Sequence, residues 1–283
     1  MATDTVTTMC IRPILLILAL LILHICFAQD TPASSAQSGG TAVIPGPPEL
    51  QKVLLQIVQK QLLFESNSVS TGATISLREL SRQHLGDRTF VKYELVGSGV
   101  APQAPYSILR LGLDNSLQPV FKKASVLQDG TLVCPATIAA LCGLNKPGEP
   151  LTLNFFGTAG EALRLVLTTP EGKPLATLSA MPFPLQSRNK GCVLSAVLLM
   201  PEGAAILIEG KGFTPNATVH LLGDSSGEKH DLSHEADSNG DLRFVVLPST
   251  IGRTSGNITI GPTDGPCHPK VTVPWGKHSY QLQ

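Results

Sequence analysis

The sequence predicts an exported, mainly β protein with two tandem β-sandwiches. Three observations support this fold class. The chain opens with an apolar segment that has the features of a signal peptide, short apolar runs alternate with turn residues after residue 73, and a pattern of glycine and proline occurs twice. The 283 residues are enough for two domains of ordinary size behind such a leader.

Residues 1–28 have the composition of a cleavable signal peptide. Arg12 precedes an apolar run over residues 13–23, and the small residue Ala28 lies at the expected cleavage site. That run is shorter than the roughly 20 residues that a membrane-spanning helix needs. Cleavage would direct the protein to the periplasm, the cell envelope or the extracellular space. Retention as an anchor and lipid attachment at Cys26 are the alternatives.

The chain is electrically neutral, with 21 basic and 21 acidic residues. Cleavage of the leader removes Arg12 and Asp4, so the formal net charge remains zero. A neutral protein lacks the basic footprint that nucleic acids require, and it offers no polybasic patch for anionic lipids. We therefore expect no nucleic-acid partner, and no membrane span once the leader has been cleaved.

Residues 29–49, rich in proline, glycine and serine, predict a disordered linker. One amphipathic helix is predicted over residues 50–64, within a lead-in that extends to residue 86. Its apolar stripe, at helical spacing, consists of Leu50, Val53, Leu54, Ile57, Val58 and Leu62. This stripe packs either on the chain's own sandwich or on a partner, such as a second copy.

Four cysteines remain after cleavage of the leader, namely Cys134, Cys142, Cys192 and Cys267. An even number of cysteines in an exported chain favours disulfides over metal ligation. Three connectivities exist for four cysteines. We favour Cys134–Cys142 and Cys192–Cys267, because each bridge then lies within one predicted domain. Four unpaired thiols are the alternative.

Eight short apolar runs separated by turn residues predict antiparallel strands. They lie at residues 90–96, 106–113, 151–156, 163–168, 204–208, 218–222, 242–247 and 257–260. No sustained helical period follows Phe64, which argues against a parallel α/β enzyme.

A glycine–proline pattern occurs twice along the chain. Gly97, Gly99 and Pro102 match Gly210, Gly212 and Pro215 at an offset of 113 residues, and a tight turn at Asn239 and Gly240 matches Asp129-Gly130. Glycine allows a positive φ, or close approach of another backbone, where the chain leaves a sheet. The repeat predicts two units of about 100 residues, over residues 87–188 and 189–283, joined by a polar linker at residues 186–191.

The second unit resembles a known family. Residues 208–219, Ile-Glu-Gly-Lys-Gly-Phe-Thr-Pro-Asn-Ala-Thr-Val, and the later Asp-Ser-Asn-Gly-Asp at 237–241 are similar to the IPT/TIG-like modules among bacterial secreted and surface immunoglobulin-like domains. The first unit matches less well, since Val100 replaces the phenylalanine. The resemblance implies two immunoglobulin-like sandwiches that serve as spacer, adhesive or binding units.

Two polar clusters suggest metal sites, but their geometry argues against both. His230 and His234 would lie about 13 Å apart on an extended chain, too far for one zinc ion. The acidic segment at residues 237–241 has Leu242 where a calcium loop needs glycine. Trp275 is expected in the last strand, and aromatic residues, at 5%, are too sparse for typical sugar platforms. We expect neither a metal nor a cofactor.

No catalytic site stands out from the sequence. We therefore expect a non-enzymatic binding or structural module of the cell envelope or extracellular space, with a protein or an envelope polymer as partner. One alternative is a subunit of an envelope assembly that oligomerises through helix 50–64. A second alternative is a hydrolase whose site is built from loops.

Overall fold

The computed structural model describes residues 52, 56, 59–61, 72–85, 88–102, 104–135 and 146–276. The predicted signal peptide and linker, the whole apolar stripe and Cys142 lie outside these residues. Of the predicted helix, residues 52, 56 and 59–61 are described, and all are helical. Within the described part of the chain, no helix is long and apolar enough to span a bilayer.

The first half of the described chain forms two antiparallel sheets. Their orders are β1-β2-β6 and β5-β4-β3-β7-β8. The strands are β1 (Thr74–Leu85), β2 (Arg88–Ser98), β3 (Tyr106–Leu111), β4 (Leu117–Val126), β5 (Leu132–Val133), β6 (Thr152–Phe155), β7 (Leu163–Thr168) and β8 (Pro174–Ala180).

The second half also forms two antiparallel sheets, with the orders β9-β10-β11-β14 and β13-β12-β15-β16. The strands are β9 (Leu185–Asn189), β10 (Cys192–Leu198), β11 (Ile206–Lys211), β12 (Thr218–Ser225), β13 (Glu228–Glu235), β14 (Leu242–Val246), β15 (Ser255–Pro262) and β16 (Val271–Gly276). A single 3-10 turn, Pro201–Gly203, joins β10 to β11.

The strand order of the two halves corresponds. The sheet β1-β2-β6 corresponds to β10-β11-β14, and β4-β3-β7-β8 corresponds to β13-β12-β15-β16. Two strands fall outside this correspondence, β5 at the edge beside β4 and β9 at the edge beside β10. The predicted mainly β class is therefore confirmed, and each of the eight predicted runs overlaps an observed strand.

Each half has its own apolar core, because alternate side chains of a strand point to opposite faces of its sheet. The first core is built from buried residues between Ala73 and Ala176, such as Leu95, Ile108 and Leu165. The second is built from buried residues between Cys192 and Trp275, such as Leu194, Ile208 and Val273.

The two halves are in direct contact. The backbone N–H of Leu198 donates to the carbonyl of Gly160 (2.7 Å), whose own N–H donates to the carbonyl of Phe183 (2.8 Å). Leu113, from the β3–β4 turn of the first half, packs against the second core. The described residues accordingly all belong to one compact unit by backbone contact.

Two predicted boundaries are wrong. The lead-in that was predicted up to residue 86 contains β1, which pairs with β2 along its whole length. The polar segment at residues 186–191 is not a linker but contains most of β9, which pairs with β10 through a turn at Lys190 and Gly191. An edge strand exposes much of its surface to water, so its polar side chains look like those of a loop in the sequence.

The predicted disulfide between Cys192 and Cys267 is present, with 6.1 Å between the two Cα atoms. It joins the first residue of β10 to the loop before β16, and both cysteines are buried in the second core. Cys134 is also disulfide-bonded. The predicted Cys134–Cys142 pairing lies outside the described residues, because Cys142 does.

Candidate ligand-binding face

An open groove lies on the outer face of the sheet β13-β12-β15-β16. It encloses about 780 Å³, and its polar lining includes Asp224, Arg253, Asn257, Thr259, His268 and Lys270. Strand alternation produces this lining. On β15, Ile258 and Ile260 point into the core, while Asn257 and Thr259 point outward. On β12, Val219 and Leu221 point inward while Asp224 points outward.

The groove carries more positive than negative charge. Arg253 and Lys270 are exposed, and neither side chain forms an ion pair within the described part of the chain. The carboxylate of Asp224 already accepts the backbone N–H of Gly227 at 2.7 Å, in the β12–β13 turn. The backbone N–H of His268 donates to Oδ1 of Asn189 at 3.0 Å, which fixes the loop at one rim. The two cations are therefore the groups best placed to contact a ligand.

The described residues that line the groove include no phenylalanine, tyrosine or tryptophan on which a sugar ring could stack. The tryptophan, Trp275, points into the second core and is 6% exposed, as its predicted place in the last strand suggested. Its indole N–H has no hydrogen-bond partner within the described residues. A ligand would therefore be held by charge and hydrogen bonds rather than by stacking.

The β12–β13 turn contains a motif that sequence reasoning missed. Residues 223–227, Gly-Asp-Ser-Ser-Gly, have the Gly-x-Ser-x-Gly spacing of a nucleophile elbow. Such an elbow needs an exposed serine between a strand and a helix. Here the motif joins two strands, and Ser225 is fully buried, with its hydroxyl 2.9 Å from that of Thr250. Ser225 therefore has a structural role in this turn.

The two histidines that suggested a metal site lie on a strand. His230 and His234 both belong to β13, so the chain between them is extended, the condition on which the argument against a shared zinc ion was based. The His234 ring stacks on Phe244, with ring centroids 3.9 Å apart. Its Nε2 atom is buried without a hydrogen-bond partner within the described residues, and burial lowers the pKa of His234 below its usual value of 6.5.

His234 should make stability depend on pH. Because burial lowers its pKa in the folded state, the unfolded chain binds the proton more tightly, so the free energy of unfolding should fall as the pH drops below about 6.5. His234→Phe keeps a ring against Phe244 and removes the titration. Urea denaturation across this pH range should show a shallower acid loss for the variant. An identical pH dependence in the two proteins would contradict the assignment.

The acidic segment at residues 237–241 forms the predicted turn. Oδ1 of Asp237 accepts the backbone N–H groups of Asn239 and Asp241, at 2.8 and 2.9 Å. These two hydrogen bonds, that of Asp241 first, lower the pKa of Asp237. The turn takes the chain from β13 in one sheet to β14 in the other, so it is not a hairpin between paired strands. No group of three metal-ligating side chains occurs among the residues that the structure describes.

The predicted turn glycines lie at strand ends in both halves. Gly99 and Gly212 have positive φ angles of 68° and 77°. A methyl group on Gly99 would overlap the carbonyl oxygen of Gly72, and one on Gly212 would lie 2.6 Å from that of Gly191. Each glycine thus allows the same contact, in which the start of one strand passes close to the end of its neighbour. The two prolines, Pro102 and Pro215, are exposed in the turns that follow.

The surroundings of the first glycine of each pair, Gly97 and Gly210, differ between the halves. A methyl group on Gly210 would lie 2.7 Å from the ring of Phe213, so a side chain there would displace this ring from the second core. At Gly97 the nearest side-chain atom, from Leu132, would be at 3.7 Å, an ordinary contact. In the first half, Val100 occupies the position that corresponds to Phe213.

Comparison with known proteins gives no family for the chain. No protein-family model matches the sequence, and no curated protein matches it either.

Proposed function

We propose that the chain is an exported, non-enzymatic binding module in which two immunoglobulin-like sandwiches stand in tandem, the second of them IPT/TIG-like. Its ligand is an acidic envelope polymer, held through carboxylate groups in the groove of the second half. The observation that carries this proposal is that two cations, Arg253 and Lys270, line one polar groove in which neither forms an ion pair within the described residues.

The tandem arrangement has two supports. The halves share the order of seven strands in two sheets, which is the architecture of immunoglobulin-like sandwiches. Gly99 and Gly212, matched in the sequence repeat, also allow matching close contacts with Gly72 and Gly191. Because β1 pairs with β2 and β9 pairs with β10, we propose that the first sandwich begins near residue 72 and the second at Leu185.

Export is supported by the leader-like residues 1–28 together with the disulfide. A buried disulfide such as Cys192–Cys267 forms and persists in oxidising compartments, such as the periplasm or the extracellular space. A cytosolic protein would rarely keep such a bond. We therefore assign the protein to the cell envelope or to the secreted fraction.

The chemistry of the groove favours a carboxylate. An arginine guanidinium binds a carboxylate with two parallel hydrogen bonds, and a lysine adds a mobile point charge. The chain as a whole is neutral, so this patch is local and does not provide the extended basic surface that nucleic acids require. Asn257 and Thr259 add hydrogen-bonding groups between the two cations.

The alternatives have less support. A hydrolase would need an accessible nucleophile, and the one serine in an elbow-like motif, Ser225, is fully buried. An assembly subunit that oligomerises through helix 50–64 would need the apolar side of this helix to be available. Gln61, a described residue of this helix, is fully buried, and its side chain donates to the β3–β4 turn of the same chain.

Binding of a uronic-acid polymer tests the proposal. We expect calorimetry with polygalacturonate to detect salt-sensitive binding by the full chain, and the double variant Arg253→Ala/Lys270→Ala to weaken it at least about tenfold, since a charge-assisted hydrogen bond contributes about 1.5–3 kcal/mol. Lys211→Ala, an exposed lysine on the other sheet of the same half, is the matched control. Equal binding by the double variant, or by a neutral polymer such as dextran, would contradict the proposal.

A further inference from the structure

The second half contains a strand that falls outside the order shared by the two halves. This strand, β9, lies at the edge beside β10. Its half-buried residues Ser187 and Asn189 pair with the core residues Leu194 and Cys192 of β10, so their side chains lie on the inner face of the sheet. Gln186 is exposed on the other face. β9 therefore turns two polar side chains toward the opposite sheet of the same half.

The loop between β15 and β16 is the part of the opposite sheet that these side chains reach. This loop, residues 263–270, is longer than its counterpart in the first half, the turn at residues 169–173 between β7 and β8. It supplies three of the residues that line the groove, Thr263, His268 and Lys270. The longer loop and the additional strand thus occur in the same half and lie next to each other.

Two hydrogen bonds join β9 to this loop. The backbone N–H of His268 donates to Oδ1 of Asn189 at 3.0 Å, and the backbone N–H of Lys270 donates to Oγ of Ser187 at 3.2 Å. Both bonds use the main chain of the loop. The exposed side chain of Lys270 consequently keeps its ammonium group for the groove.

The loop is also fixed at two other points. The backbone N–H of Thr263, its first residue, donates to the carbonyl of His220 in β12 at 2.9 Å. Cys267 is buried and is bonded to Cys192, the first residue of β10. The loop is therefore connected to three strands, β9, β10 and β12, that belong to both sheets of the second half.

Gly261 provides the space that Lys270 occupies on the groove side. A methyl group on Gly261 would lie 2.7 Å from Cγ of Lys270 and 2.8 Å from the carbonyl oxygen of Pro269. Gly261 does not have a positive φ, so its role is to leave room rather than to adopt a special backbone conformation. The aliphatic stem of Lys270 thus passes over β15, and any larger residue at position 261 would displace it.

We propose that Ser187 and Asn189 are positioning residues of the groove, which hold the loop at residues 263–270 so that Lys270 faces the carboxylates of the ligand. This inference rests on the proposed function, because it concerns the same groove. A cation that is already held in place loses less conformational freedom when the ligand binds, so the complex is tighter. β9 thereby lets one sheet of the sandwich set the affinity of a groove on the other.

Removal of the two acceptors tests the proposal in the full chain. We expect Ser187→Ala/Asn189→Ala to weaken the binding of polygalacturonate about fivefold, a smaller loss than that caused by Lys270→Ala, because the cation remains but is no longer held. Ser187→Thr keeps the hydroxyl group and should bind as the wild-type protein does. Gln186→Ala, on the exposed face of β9, is the matched control and should change nothing.

Two readouts distinguish positioning from general stability. In the Lys270→Ala background, the double variant Ser187→Ala/Asn189→Ala should cause no further loss of affinity, since these residues act through Lys270. In the protein without ligand, NMR should show that the amides of His268 and Lys270 exchange at least about tenfold faster in the double variant, whereas the amide of Ile260 in β15 is unchanged.

Gly261→Ala approaches the same cation from the groove side. It leaves the hydrogen bonds of β9 in place but displaces the stem of Lys270, so it should also weaken binding, and again only when Lys270 is present. This variant decides the coupling to Lys270 if Ser187→Ala/Asn189→Ala does not fold.

Either of two results would overturn the proposal. The first is unchanged exchange of the His268 and Lys270 amides in the double variant. The second is an equal loss of affinity with and without Lys270, which would show that the substitutions act on the fold as a whole. Absence of polygalacturonate binding by the wild-type protein would contradict the proposed function instead, and the exchange of the two amides would then decide whether β9 holds the loop.

Discussion

Replacing both Cys192 and Cys267 by alanine is expected to lower the free energy of unfolding by about 4.5 kcal/mol. The bridge closes a loop with a sequence separation of 75 residues, which contains β10 to β15. Loop-closure entropy predicts a stabilisation of this size for such a loop. Both cysteines are buried in the second core, so alanine avoids placing a polar group there. Urea denaturation under oxidising conditions measures the loss.

The reduced wild-type protein provides the control. It keeps both sulfur atoms in the core but lacks the cross-link, and reduction also breaks the disulfide of Cys134, so its loss should be at least that of the double alanine variant. The single variant Cys192→Ala also breaks the bridge and should differ from the double variant only by the small volume of one sulfur atom. A loss below about 1 kcal/mol for the double variant would show that the loop is already ordered in the unfolded state.

The sequence predicted those parts of the fold where burial and strand period coincide. The mainly apolar run at residues 163–168 becomes a fully buried strand, β7, in which Arg164 and Thr168 are buried as well. β13 was missed as a strand because its inward positions include His230 and His234, whose burial no periodicity argument would assign. β9 was missed for the related reason that an edge strand buries little of its surface.

The candidate groove could not be predicted, because its residues are far apart in the sequence. Asp224 lies on β12, Arg253 lies in the loop before β15, and Lys270 lies in the loop before β16. Only the pairing of β12 with β15, and of β15 with β16, brings them to one face. The local signal was the outward polar positions of β15, Asn257 and Thr259, which alternate with the core residues Ile258 and Ile260.

The repeat was predicted from glycines because the feature that requires a glycine, a positive φ or a close backbone contact, is local. Gly212 and Gly99 both permit a backbone contact, and this contact depends on strand pairing alone rather than on the surrounding core. The Cys192–Cys267 bridge was predicted for a similar reason, since only four cysteines remain and each predicted unit contains two. Contacts between the halves, such as that of Leu113 with the second core, could not be predicted from the sequence. The periodicity of apolar residues describes one strand or helix and does not indicate which distant core a turn residue contacts.

Gly212→Ala is expected to destabilise the protein by about 2–4 kcal/mol. Gly212 has a φ of 77°, a conformation that costs an alanine about 1–2 kcal/mol. Its methyl group would also lie 2.6 Å from the carbonyl oxygen of Gly191, so the turn between β9 and β10 would have to shift beside Cys192. Thermal unfolding of the variant and the wild-type protein measures the combined loss.

Two other glycines of the second half separate the conformational cost of Gly212→Ala from the cost of the contact. Gly227 has a φ of 96° and no atom within 4 Å of the place that an added methyl group would occupy, so Gly227→Ala should lose only the conformational part. Gly223, in β12, should lose almost nothing on the same substitution, because its neighbours stand at 3.7 Å or more. The midpoint temperature of thermal unfolding should therefore be lowest for Gly212→Ala, intermediate for Gly227→Ala and highest for Gly223→Ala. An equal loss for Gly212→Ala and Gly227→Ala would show that the contact with Gly191 relaxes at no cost.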